Sequence, residues 1–90
     1  MTRNEALLIV LATLDQIQDF GTEEKVELTE STQPIGGIPG FDSMNGVEFA
    51  AIIDEEIPIG EVGNLCASKD GTRALTVGEI ADRILEITSI

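Results

Sequence analysis

The change of sequence character around Gly40 constrains the fold more than any other feature of the chain. Two prolines and three glycines lie within residues 34–40, a composition that cannot continue a helix. Residues 44–57 contain no proline and can sustain a helix. Asp42 is a favourable N-cap for that helix, which places Ser43 in its first turn. We therefore expect an exposed serine at the N-terminus of an acidic amphipathic helix.

Two further segments have helical periodicity, one at each end of the chain. Each begins with a capping box, Thr2 to Glu5 and Thr76 to Glu79, in which side chains and backbone N–H groups satisfy each other. The first helix is expected to end at Phe20-Gly21 and the last near Thr88. Apolar residues at steps of three and four predict the buried stripes, which are Leu7, Val10, Leu11, Leu14 and Ile17, then Val77, Ile80, Ala81, Ile84 and Ile87. The polar residues Asp15, Gln16, Gln18 and Asp19 are expected outside the first stripe.

The segments between these helices have no sustained periodicity. A loop is predicted from residue 22 to 42, containing either a short helical turn or apolar anchors at Val26, Leu28, Ile35, Ile38 and Phe41. Pro58 ends the middle helix, and residues 59–65 are predicted to form one short helical turn. A loop with a turn at residues 69–72 follows. The sequence thus predicts one all-α domain over residues 1–90, a small bundle of three main helices and one short helix.

The middle helix is predicted to have a core face and an acidic face. Val47, Ala50, Ile53 and Ile57, with Ala51 beside them, form the expected buried stripe. The opposite face carries Asn45, Glu48, Ile52 and Glu55, and Asp54 and Glu56 extend its acidic end. Acids at a helix C-terminus are each unfavourable by about 0.3–1 kcal/mol. That cost favours a binding surface over a merely solvated face.

The overall charge excludes several classes of partner. Seventeen acidic and five basic residues give a formal net charge of −12. Nucleic acid is therefore not expected as a partner, and a basic protein surface is the natural complement. The alternative is that acidity only keeps a small protein soluble. No apolar run approaches the length of a membrane span, and a single cysteine, Cys66, requires no oxidising compartment, so we expect no membrane insertion and a cytoplasmic location.

The absence of histidine from the sequence limits the chemistry available to the chain. It removes Ser–His and Cys–His catalytic pairs and histidine-based zinc sites, so Ser43 is not expected to be a hydrolase nucleophile. Residues 68–79 have a weak similarity to a calcium-binding loop. Serine occupies its first position and Arg73 its required glycine, so no metal site is predicted. Cys66 is expected to be a small, half-buried apolar residue.

The tripeptide Asp42-Ser43-Met44 at the start of an acidic helix resembles the signature of acyl carrier proteins. The resemblance covers nearly the whole chain: a leading helix, a long loop, the serine helix, a short segment after Ile57-Pro58 and a final helix. It implies that Ser43 accepts a 4′-phosphopantetheine arm and that Asp42 helps a phosphopantetheinyl transferase to recognise it. The residues implied to dock onto basic patches of that transferase and of acyl-processing enzymes are Met44, Glu48, Ile52, Asp54, Glu55 and Glu56.

The resemblance implies a monomeric carrier and not an enzyme, with acyl groups held as thioesters for lipid, fatty-acid or polyketide-type biosynthesis. Met44 in place of leucine, Asn45-Gly46, and a long stretch from Gly60 to Leu75 depart from the family pattern. A specialised lipid, polyketide or aminoacyl pathway fits at least as well as the main fatty-acid pathway. Ala50 and Ala51 either leave room for an acyl chain or allow close helix packing. The alternative from another class is an acidic helical adaptor without a prosthetic group.

Overall fold

A computed structural model describes residues 1–21 and 25–89 and shows four helices in that part of the chain. They are α1 (Arg3–Gly21), α2 (Pro34–Gly37), α3 (Ser43–Glu56) and α4 (Val77–Thr88). α1 packs against both α3 and α4, and α2 lies against α3. The prediction of a small all-α bundle with three main helices and one short helix is confirmed.

The capping signals in the sequence place the helix starts correctly. The Thr2 hydroxyl accepts a hydrogen bond from the Glu5 N–H at 3.2 Å, and the Glu5 carboxylate accepts one from the Thr2 N–H at 2.9 Å. The same reciprocal pair joins Thr76 and Glu79 at the start of α4. Each box satisfies backbone N–H groups that a helix N-terminus otherwise leaves without an intrahelical partner.

One hydrophobic core lies between the three long helices. Val10 and Leu14 from α1 meet Phe49 and Ile53 from α3, and the stripe of α4 completes the cluster. The predicted α4 residues Val77, Ile80, Ala81 and Ile84 are buried, and Ile87 is half-buried. In α1, Val10 and Leu14 are buried while Leu7, Leu11 and Ile17 are half-buried.

The predicted buried face of α3 is wrong by a rotation of the helix. Val47 is 51% exposed and Ala51 is also exposed, whereas Gly46 and Phe49 are buried. Phe49 has the largest apolar side chain of the helix, and its complete burial removes more apolar surface from water than burial of Val47 would. Ala50, Ile53 and Ile57 are buried as predicted, because both faces share them.

The short helix lies before α3 and not after it, contrary to the prediction for residues 59–65. That predicted turn does not form, since Gly60 and Gly63 adopt φ values of +77° and +67°, which a right-handed helix excludes. The short turn occurs at Pro34–Gly37, where the Ile38 N–H donates to the Pro34 carbonyl at 3.1 Å. The segment after α3 is nevertheless anchored, with Ile59, Leu65 and Cys66 in the core.

The long connection between α1 and α3 is held by both proposed means, a short turn and apolar anchors. Ile38 and Phe41 are buried, and Val26, Leu28 and Ile35 pack against the core. Backbone bonds also fix it to α4, because the Val77 and Gly78 N–H groups donate to the carbonyls of residues 32 and 30 at 2.8 and 2.9 Å. Residues 22–24 of this predicted loop lie outside the described residues.

Gln18 was predicted on the polar side of α1, but it is fully buried. Its amide nitrogen donates to the Val26 carbonyl at 3.2 Å, and its amide oxygen accepts from the Val26 N–H at 2.8 Å. A side-chain amide can replace a backbone partner in this way, so its burial is compensated. Gln18 thus ties the long connection to α1.

Candidate functional site

Ser43 is the first residue of α3 and is exposed, as predicted. The preceding Asp42 is the N-cap: its carboxylate accepts hydrogen bonds from the Met44 and Asn45 N–H groups at 3.0 and 3.2 Å. The Asn45 side chain accepts one from the Asp42 N–H at 2.9 Å, which completes a capping box. The Asp42 cap was expected, whereas the contribution of Asn45 was missed, although an Asn three residues after an Asp was a visible signal.

This cap changes the electrostatics expected around Ser43. Two of the N–H groups that could have faced a phosphate at the helix N-terminus already donate to the Asp42 carboxylate. An anionic group on the Ser43 hydroxyl would also belong to the residue next to Asp42, whose carboxylate is negative. Positive charge for such a group must therefore come from outside the first turn of α3.

A groove of 560 Å³ next to Ser43 supplies that positive charge. Ser43 lines it together with most residues of the segment from Val62 to Ala74. Three of the five basic residues of the chain line it, namely Lys69, Arg73 and Arg83. Among its described lining residues Asp70 is the one carboxylate. Because its lining has three basic side chains and one carboxylate, we call it the cationic groove.

Residues 67–74, all of which line the groove, form a small hairpin. Ala67 and Ala74 form an antiparallel bridge, and the Ser68 N–H donates to the Arg73 carbonyl at 2.8 Å. Asp70 stabilises the predicted turn at residues 69–72, because its carboxylate accepts from the Ser68 hydroxyl and from the Thr72 hydroxyl and N–H. These bonds lower the pKa of Asp70 to about 2.

The basic residues of the groove differ in how their charge is compensated. Lys69 pairs with Glu86 at 3.3 Å, and Arg73 pairs with Glu79 at 2.8 Å. The Arg73 bond, with the Thr76 N–H, lowers the pKa of Glu79 to about 2. Glu79 and Glu86, together with Asp82, line a neighbouring depression that is also lined by the same three basic residues.

Arg83 has no carboxylate partner in the described part of the chain, unlike each of the other four basic residues. It is half-buried, and one of its terminal nitrogens donates to the Ala67 and Asn64 carbonyls at 2.6 and 3.3 Å. Its Nε is buried and has no hydrogen-bond partner among the described residues. Arg83 is not among the predicted site residues, because its position on α4 gives no sign in the sequence of what it faces.

Gly46 meets another part of the chain rather than a partner or an attached arm. A Cβ atom at residue 46 would lie 1.9 Å from Oδ1 of Asn64, where ordinary contact begins at 3.4 Å. The same oxygen accepts a hydrogen bond from the Cys66 N–H at 2.9 Å. Glycine therefore lets Asn64 approach α3 and hold residues 63–67. This segment lines the groove at Gly63, Asn64 and Ala67 and is called the floor of the groove below.

The residues predicted to bind partners lie on the outer surface of α3. Met44 is 80% exposed, Glu48, Glu55 and Glu56 are exposed, and Ile52 is half-buried. Val47, which was predicted in the core, adds a second exposed apolar side chain to this surface. The residues of this surface, called the α3 face below, are Met44, Val47, Glu48, Ile52, Glu55 and Glu56.

Asp54 has a structural contact that the prediction did not include. Its carboxylate accepts hydrogen bonds from the Ile59 and Gly60 N–H groups at 2.9 and 3.0 Å. It therefore fixes the chain as it leaves α3. Although Asp54 is exposed, its first role in this structure is to cap the segment after the helix.

A second depression, of 320 Å³, is lined by Val47, Ala50 and Ala51 of α3 and by Val62. Ala50 is buried and Ala51 exposed, so only one of the two predicted small residues faces the interior. Cys66 is fully buried rather than half-buried, and burial raises the pKa of its thiol to about 12 although the nearby Arg83 acts in the opposite direction.

Comparisons with family models, with curated proteins and with solved structures give no match. Among the described residues, no group of three or more potential metal ligands is close enough to hold a metal ion. Within the same residues, no helix has the length and apolar character needed to cross a membrane.

Proposed function

We propose that this chain is an acyl carrier protein that holds a 4′-phosphopantetheine arm on Ser43. The observation that supports this most strongly is the position of Ser43: it is exposed as the first residue of an acidic helix and borders the cationic groove. The serine hydroxyl is accessible, and the groove offers positive charge for a phosphodiester. The residues present therefore fit the group.

Attachment requires the Ser43 oxygen to act as a nucleophile on coenzyme A. A phosphopantetheinyl transferase with magnesium would supply the base that takes the hydroxyl proton. The new bond joins the Ser43 oxygen to the phosphorus that carries pantetheine, and the bond to the leaving adenosine bisphosphate breaks. The chain itself needs no catalytic base, in agreement with a sequence that has no histidine. When attached, the arm supplies a terminal thiol that carries acyl groups as thioesters.

The α3 face is the proposed docking surface for the transferase and for acyl-processing enzymes in the cytoplasm. Exposed Met44 and Val47 provide apolar contact beside the carboxylates of Glu48 and Glu55. Opposite charges on a partner would steer association, and the apolar side chains would be buried on contact. A fatty-acid, specialised lipid, polyketide or aminoacyl pathway could use such a surface, and the cargo follows from the enzymes that dock there.

Charge reversal on this surface tests the proposed docking. We expect Glu48→Lys with Glu55→Lys to lower the kcat/KM of a transferase for the chain about tenfold at low salt. The matched control is Asp15→Lys with Glu27→Lys, which makes the same change of net charge at exposed positions on α1 and in the long connection. Equal losses for the two double variants would show that only net charge matters and would remove the α3 face from the proposal.

A second candidate function is an acidic adaptor that binds a basic protein without a prosthetic group. The exposed apolar residues of the α3 face favour it, because they suit protein docking whether or not an arm is present. Ser43→Ala distinguishes the two functions. It should abolish loading of a carrier, whereas it should leave the affinity of an adaptor for its partner unchanged.

A further inference from the structure

We propose that the groove beside Ser43 contains an oxyanion-binding site in which Arg83 binds a phosphate or a carboxylate. The inference deepens the proposed function where the arm supplies the anion, although the site itself does not depend on attachment. Two separate observations carry it: the collection of positive charge in one groove and the lack of a carboxylate partner for Arg83.

The distribution of charge is the first observation. With five basic residues against seventeen acidic ones, most of the surface repels anions. The groove nevertheless collects three of those five, with Asp70 as the one carboxylate among its described lining residues. Asp70 is engaged by Ser68 and Thr72 and shapes the hairpin. Lys69 and Arg73 are paired with Glu86 and Glu79, so Arg83 carries the positive charge of the groove that no carboxylate of the described residues compensates.

The state of Arg83 is the second observation. Its guanidinium is half-buried and lines the groove, yet within the described residues it forms no ion pair. A guanidinium has five N–H donors, and one terminal nitrogen is held by the Ala67 and Asn64 carbonyls. Those two bonds fix the side chain in place while leaving its charge uncompensated. Because Nε is buried, the second terminal nitrogen is the one that remains for an anion, and the fixed guanidinium holds its N–H groups in place better than a mobile lysine would.

The other two cations of the groove are not expected to bind the anion directly. Lys69 and Arg73 are exposed and have their own carboxylate partners, Glu86 and Glu79. These pairs compensate their charge, so the direct contact with the anion is assigned to Arg83. The anion has two possible sources, namely the phosphodiester of an arm on Ser43 or a carboxylate on the cargo at the end of that arm. In the second case the carrier would favour short, carboxylate-bearing acyl groups over long alkyl chains.

The test uses the full chain without an arm and inorganic phosphate as the probe. Phosphate is added at constant ionic strength to the ¹⁵N-labelled chain, with chloride as the reference salt, and the Arg83 Nε–Hε signal and the amides of residues 63–68 are followed by NMR. We expect saturable shifts in these signals with phosphate and not with chloride. Signals that stay unmoved, or that respond equally to both salts, would overturn the proposal.

Two variants add a quantitative test. Arg83→Gln should weaken phosphate binding about tenfold, as expected for loss of a charged hydrogen-bond partner. Arg3→Gln removes the same charge outside the groove and should leave the affinity within about twofold. Because Arg83 also donates to the Ala67 carbonyl, the fold of Arg83→Gln is checked by its amide spectrum. If this variant does not fold, the phosphate response of the Arg83 signal in the parent chain decides whether the site exists.

The loaded chain distinguishes the sources of the anion. If the phosphodiester occupies the site, the Arg83 signal shifts on loading and added phosphate no longer binds. If the site is reserved for cargo, the loaded chain still binds phosphate and also acetate. A chain that cannot be loaded on Ser43 would contradict the proposed function, yet it would leave the phosphate result for the unloaded chain intact.

Discussion

Replacing Gly46 with alanine tests the contact between α3 and the floor of the groove. The added Cβ would lie 1.9 Å from Oδ1 and 2.6 Å from Cγ of Asn64, so the carboxamide must move. It would then lose its hydrogen bond from the Cys66 N–H, a group within a fully buried residue. Leaving a buried donor unsatisfied costs about 1–3 kcal/mol. Alanine in a helix gains about 1 kcal/mol over glycine.

These two effects predict that Gly46→Ala lowers the free energy of unfolding when Asn64 is present and raises it when Asn64 is absent. In the parent chain, Gly46→Ala should lower the free energy of unfolding by about 1 kcal/mol, the balance of the lost hydrogen bond and the gain in helix propensity. In an Asn64→Ala chain that bond is already absent and the space is open. There, Gly46→Ala should raise the free energy of unfolding by about 1 kcal/mol.

Urea unfolding of the four chains, followed by circular dichroism at 222 nm, measures this coupling. The control is Gly37→Ala, whose Cβ would meet nothing closer than 3.8 Å and which should change stability by less than about 1 kcal/mol. A change of about 1 kcal/mol corresponds to a shift in Tm of about 4–8 °C for a domain of this size. If Gly46→Ala stabilised both backgrounds equally, the contact with Asn64 would be refuted.

Three further predictions concern single groups. Asp42→Ala should lower the free energy of unfolding, measured in urea, by about 1 kcal/mol. Asp42→Asn retains a capping side chain and should lower it less, so equal losses for the two variants would contradict the N-cap role of Asp42. Glu79 has its pKa lowered from 4.5 to about 2 by Arg73, so its stabilising effect is complete above pH 4.5 and is lost as the pH falls towards 2. Thermal unfolding from pH 6 to 2 should therefore show a gap between the parent and Glu79→Gln that closes below pH 4.5, and a gap independent of pH would refute the ion pair. Cys66, with its pKa raised from 9.0 to about 12, should react with iodoacetamide at pH 8 at least about a hundredfold more slowly in the folded chain than in urea, and equal rates would contradict its burial.

Local signals in the sequence were sufficient to predict the three long helices. The capping boxes at Thr2 and Thr76 and the N-cap Asp42 each satisfy N–H groups within one turn, so residues three positions apart determine where a helix starts. The stripe of α4 was also predictable, because its apolar residues fall on one face with no competing apolar residue opposite. These features depend only on residues close together in the chain.

Features that depend on distant contacts were not predictable in the same way. The rotation of α3 followed from complete burial of Phe49 in place of Val47, which depends on the shape of the space left by α1 and α4. Gln18 is buried because it meets Val26, and Gly46 is required because it meets Asn64. Each pair joins separate elements, and no periodicity encodes it.

The candidate site also has one part that depends on nearby residues and one that depends on distant contacts. Ser43 and Asp42 were found from a local pattern, and the exposure of Ser43 agrees with it. The cationic groove could not be found, because Arg83 lies forty positions further along the chain and lines the groove with Ser43 only after folding. The sequence has only five basic residues, and the fold brings three of them to the groove that Ser43 lines.

The most direct test of the carrier function is the intact mass of the folded chain after incubation with coenzyme A, magnesium and a broad-specificity phosphopantetheinyl transferase. Ser43→Ala is the negative control, and Ser31→Ala, at another exposed serine, is the matched positive control. We expect the parent and Ser31→Ala to gain one phosphopantetheine each and Ser43→Ala to gain none. No mass increase in the folded parent, or an equal increase in Ser43→Ala, would contradict the assignment of Ser43 as the attachment site.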